Sequence, residues 1–138
     1  MNSNDRESRH IGIRIERTAD DVYTYASDPA HLPAWALGLG ETIERTGDGR
    51  WVAESSPMGR VVVDFAPRNP WGVLDHDVTL PSGETVYNPV RVIADGKAAC
   101  EVVFTLRRQE GMSDAEFERD AGMVVADLER LKGLLESA

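Results

Sequence analysis

Ile11, Ile13 and Ile15 alternate with Gly12, Arg14 and Glu16, the period-2 pattern of a half-buried strand. The period then changes. Thr18 stands as an N-cap before a predicted helix over 19–26, where Asp20 and Asp21 suit a helix N-terminus and Val22, Tyr25 and Ala26 share one face. Asp28-Pro29 ends that helix. A second short helical piece is predicted over 30–37, limited by Pro33 and closed by Gly38 and Gly40. Strand-like segments follow at 41–45, 50–55, 59–66, 73–80, 84–94 and 97–107, separated by turn chemistry such as Gly47-Asp48-Gly49, Pro81-Ser82-Gly83 and Asp95-Gly96. The turns are short, so neighbouring strands are expected to be antiparallel. Ser113-Asp114-Ala115-Glu116 is a capping box, and Phe117, Ala121, Val124, Leu128, Leu131 and Leu135 form one stripe of a long closing helix.

This order predicts an α+β fold: a curved antiparallel sheet of six or seven strands, two short helices after the first strand, and the long C-terminal helix across one face. One helix cannot fill a strongly curved sheet unless large side chains plug the gap, so an internal cavity is expected. The chain of 138 residues is expected to form a single domain over 1–138, with the polar residues 1–8 as a flexible tail.

Composition narrows the function classes. Hydrophobic residues make up 41% and charged residues 28%, ordinary values for a globular protein. The net charge of −9 has no basic patch to offset it, which argues against nucleic-acid and membrane-surface partners. No apolar run approaches the ~20 residues of a membrane-spanning helix, and the N-terminus lacks a signal-peptide core, so a cytoplasmic location is expected. A single cysteine, Cys100, excludes an internal disulfide and a cysteine-based zinc site. No cofactor motif is present, with no glycine-rich dinucleotide fingerprint, no phosphate loop and no metal-binding spacing.

The candidate chemistry centres on DHDVTL, residues 75–80. On a strand, Asp75 and Asp77 share a face with Val73 and Thr79, whereas His76 lies with Leu74, Val78 and Leu80. The three polar groups cannot converge on one metal ion. His76 is therefore expected inside, as a satisfied structural histidine, a hydrogen-bonding group for a ligand, or a catalytic acid/base, and both aspartates are expected to face water. On the following strand, parity turns Asn88 inward with Val86, Val90 and Val92, but Pro89 marks a possible bulge that could re-aim Tyr87 instead. Parity alone leaves that choice open. Phe104 alternates inward with Cys100, Val102 and Leu106, and Cys100 has no visible base to make it a nucleophile.

The chain resembles the START-like, helix-grip (SRPBCC) superfamily, and within it the bacterial polyketide cyclase/dehydrase-like proteins. The resemblance lies in the first strand, in TADDVYTYASDPAHLPAWA, and in the closing LRRQEGMSDAEFERDAGMVVADLERLKGLLE, with the strand run between them. It implies a sheet wrapped around the C-terminal helix and a mostly apolar cavity for lipids, polyketides or other hydrophobic molecules. Trp35 and Trp71 would then stand at the ends where the cavity opens, Trp51 on an inner strand face, and Met123 as a deformable contact from the long helix. Two functions follow as expectations. One is a carrier or sensor, a monomer or homodimer, that binds a hydrophobic small molecule oriented by His76 and by Tyr87 or Asn88. The other is a cyclase/dehydrase-type enzyme in which His76 is the general acid/base.

Overall fold

A computed structural model describes residues 7–37, 42–55 and 59–137. Strand β1 (Ser8–Ile15) leads into helix α1 (Ala19–Ala26), a 3-10 turn (Pro29–His31) and the single-turn helix α2 (Leu32–Trp35). Seven strands follow: β2 (Thr42–Arg45), β3 (Trp51–Ser55), β4 (Gly59–Phe65), β5 (His76–Thr79), β6 (Thr85–Asn88), β7 (Val90–Asp95) and β8 (Ala99–Arg107). Helix α3 (Asp114–Glu136) closes the chain. The expected tail over 1–8 lies mostly outside the described residues, but Ser8 already pairs with Arg107 in β1.

The helix ends behave as their residues dictate. The Thr18 side chain accepts from the Asp21 amide, and Ser113 and Glu116 complete the reciprocal capping box of α3. All six residues of the expected α3 stripe are buried. Phe117 at its start lies beneath the guanidinium groups of Arg9 and Arg108, 4.9 and 5.9 Å from the ring centre.

The strands are antiparallel throughout but form two sheets, β1-β8-β7 and β2-β3-β4-β5-β6, where a single curved sheet was expected. The division falls at Pro89, which splits the expected strand 84–94 into β6 and β7 because proline has no amide hydrogen for the ladder. Ahead of β5, residues 72–74 run beside β7: the Val92 amide donates to the Gly72 carbonyl at 2.9 Å and the Leu74 amide to the Val90 carbonyl at 2.8 Å.

Asp75 joins the two sheets at this seam and overturns one expectation. It is 5% exposed, not water-facing. Its Oδ1 accepts from the Val90 amide and from Arg91 Nε, both at 2.9 Å, and its Oδ2 accepts from Arg91 Nη2 at 2.8 Å and from the Tyr87 hydroxyl. The Arg91 guanidinium, aided by the Tyr87 and Val90 hydrogen bonds, holds the carboxyl well below its usual range, at about 2, against the opposing effect of burial. Alternation gave its side of the strand correctly; the cover supplied by Arg91 and Tyr87 was not visible in it.

The core has two parts. The larger gathers Ile15, Val22, Val102, Leu128 and Leu131 between the three-stranded sheet, α1 and α3; the smaller joins Ala53, Val61, Val63 and Val78 on the five-stranded sheet. The main contacts of α3 are with β1, β8 and α2. Its N-terminal half faces β5 and β6 across open space.

Candidate functional site

That space is a cavity of about 450 Å³, bounded by α2, α3 and the inner faces of β5, β6 and β8. Its apolar wall includes Leu32, Phe65, Val78, Val86, Phe104 and Leu128. This is the size and lining of a small-molecule site. Two polar side chains, His76 and Asn88, stand among these walls on directly paired positions of β5 and β6.

His76 is 8% exposed and sits between aromatic neighbours, with Phe65 tilted against it at 5.1 Å between ring centres and Phe104 edge-on at 6.3 Å. Its Nδ1 lies 3.1 Å from the Leu74 carbonyl oxygen. A carbonyl can only accept, so Nδ1 carries the hydrogen and, in the neutral ring, Nε2 presents a lone pair. Burial pushes the imidazole pKa below its usual value, although the Leu74 contact and the charges of Asp75 and Asp77 oppose it. Asn88 Nδ2 stands 3.5 Å from that Nε2.

The expected site residues divide cleanly. Trp35, His76, Asn88, Phe104 and Met123 line the cavity. Tyr87 does not: it points to the opposite face, half exposed, with its hydroxyl on Asp75, which settles the choice left open by Pro89 in favour of Asn88. Trp51 packs on the smaller core cluster without bordering the cavity. Trp71 is 78% exposed. Asn69 explains its position, because its side-chain oxygen accepts from the Trp71 and Val73 amides and its amide donates to the Pro67 and Val73 carbonyls, folding a tight loop that leaves the indole outside. Trp35 is fixed from α3 by Arg130, whose Nε donates to the Trp35 carbonyl at 3.3 Å. Its indole Nε1 is buried without a hydrogen-bond acceptor among the described residues.

Sequence reasoning missed the acids of α3. Glu116, Asp120 and Asp127 also border the cavity, and desolvation raises the Asp120 carboxyl above its usual pKa. The signal was available in their spacing, since 116, 120 and 127 flank the apolar stripe at helical intervals. Among the described residues, no three His, Cys, Asp or Glu side chains gather to hold a metal ion, and no helix is long and apolar enough to cross a membrane.

No family model matches the sequence, and no curated protein does. Solved structures do match in shape. A START superfamily protein from Mycobacterium smegmatis superposes with a TM-score of 0.65 at 14% identity, covering 94% of this chain and 97% of that one. Norcoclaurine synthase from Thalictrum flavum, in complex with dopamine and hydroxybenzaldehyde, gives 0.64 at 19% identity over 94% and 86% of the two chains. A conserved protein from Geobacillus kaustophilus gives 0.73 at 10% identity over 95% and 96%. At these identities the likeness concerns the backbone, and it extends from β1 through α3 in the same α+β arrangement. The chain has a START-like, helix-grip fold.

Proposed function

We propose that this protein binds a hydrophobic small molecule, of aromatic, polyketide or lipid-like character, in the cavity between α3 and the five-stranded sheet, and acts as a carrier or sensor. One observation carries the reading: about 450 Å³ of space has a mainly apolar and aromatic wall, with buried His76 and partly buried Asn88 side by side on the sheet and acids of α3 at its border. An interior of this kind gains free energy when an apolar body replaces water or empty space. Likeness to START-like structures supports it at the level of fold.

A neutral fluorophore such as N-phenylnaphthylamine tests it. Native protein should bind one equivalent and show altered indole emission. The change should vanish in Trp35→Phe, because Trp35 alone of the three indoles borders the cavity, and persist in Trp71→Phe. Binding seen only in mildly denaturing solvent would refute the reading.

The second reading is a cyclase/dehydrase-type enzyme with His76 as the general acid/base. It is favoured by the state of the ring: a neutral imidazole with a lone pair at Nε2 is the form that accepts a proton from a carbon acid during aldol closure. In that case His76→Phe should lower turnover of a poly-β-ketone by about 10²-fold or more with little change in binding.

A further inference from the structure

We propose that the cavity selects ligands carrying a hydroxyl group on an apolar ring system, with that hydroxyl seated on His76 and Asn88. The proposal rests on the ligand-binding reading above and specifies the chemistry of what is bound.

The assignment follows from which atoms can donate. Leu74 fixes the hydrogen of His76 on Nδ1, so Nε2 is an acceptor. Asn88 Nδ2, a donor, stands 3.5 Å away from it on the paired strand, longer than a good hydrogen bond. The pair is therefore an acceptor beside a donor, loosely joined. An oxygen placed about 2.8 Å from each nitrogen closes a reasonable triangle with them. A hydroxyl satisfies both with one atom, donating to Nε2 and accepting from Asn88. A ketone, an ether or a carboxylate brings only acceptors and would set its lone pairs against that of Nε2. An ammonium group brings only donors and leaves the Asn88 amide facing a cation. The Phe65 and Phe104 rings on either side of His76 supply an aromatic setting that favours a flat body behind the hydroxyl.

The pairing also sets the cost of a wrong ligand. Once the cavity is filled and water is gone, a ligand without the hydroxyl leaves Nε2 and the amide to their single stretched contact.

Three probes of nearly equal shape separate this inference from the broader one: hydroxypyrene, methoxypyrene and pyrene, titrated by fluorescence into the full-length protein. Hydrophobicity alone ranks hydroxypyrene weakest. The expected result is the reverse, with hydroxypyrene bound roughly tenfold or more tightly than methoxypyrene, a preference erased in His76→Phe. Equal binding of all three, or methoxypyrene binding best, overturns the hydroxyl assignment and leaves the cavity reading standing. Binding of none overturns both. A measurement on the unmodified protein removes dependence on the variant: long-range nitrogen–proton correlation of the His76 ring at neutral pH should show the hydrogen on Nδ1, and a hydrogen on Nε2 overturns the proposal.

Discussion

Replacing Asp75 by Asn tests the seam between the two sheets. The change keeps the side chain's shape but removes the charge and converts one carboxylate oxygen into a donor. With the remaining oxygen still accepting from the Val90 amide and Arg91 Nε, the new amide group meets Arg91 Nη2 donor to donor. The magnitude can be worked from the proton. A carboxyl held at about 2 when folded, against a usual value of 3.8, contributes roughly 2–3 kcal/mol to stability at neutral pH. The sign is fixed by the depressed pKa. The contribution is complete above the unfolded value and is lost as pH falls toward the folded one, so the gap between wild type and variant should be roughly 1 kcal/mol smaller at pH 3 than at pH 7. Urea unfolding of both proteins at several pH values measures it. A gap under about 0.5 kcal/mol at pH 7, the size of an ordinary surface substitution, would refute the reasoning, as would a gap that widens on acidification.

Two further outcomes are expected. Because burial lowers the pKa of His76, the unfolded chain binds its proton more readily, and stability should fall as pH drops from the usual histidine value of 6.5 through the folded one; His76→Phe should remove that component of the slope in a pH series of thermal melts. Gly72→Ala should destabilise by at least about 2 kcal/mol in chemical denaturation, since Gly72 has φ +72° and an added Cβ would stand 2.4 Å from the Val92 carbonyl oxygen.

Local chemistry was the legible part of this chain. The isoleucine alternation of β1, the Thr18 cap and the Ser113–Glu116 box each act within a few residues, and each stands where the sequence put it. His76 and Asn88 were legible for the same reason: both sit on strands whose neighbours alternate regularly up to Pro89. What failed depended on distant partners. Alternation tells which side of a strand Asp75 occupies, but only the register that brings Tyr87 and Arg91 over it decides that the side is covered. Trp71 likewise depends on structure beyond its neighbours: the resemblance set it where the cavity opens, but the Asn69 loop holds the indole outside, away from the cavity lining. The acids bordering the cavity from α3 were passed over because the buried stripe beside them drew the assignment of the inner face.

The split of the core into two clusters, with the cavity between them, bears on how this protein can change over generations. A residue wedged in a close-packed interior loses contacts on every side when it is shortened, and the fold suffers. Val86, Leu106 and Met123 face open space on one side, and none belongs to either cluster. Substitutions there alter the shape offered to a ligand while sparing Ile15, Val102, Leu131, Val61 and Val63, which hold the scaffold together. On the binding reading proposed above, selectivity would thereby be uncoupled from folding, and the same backbone could drift from one guest to another without passing through an unstable ancestor.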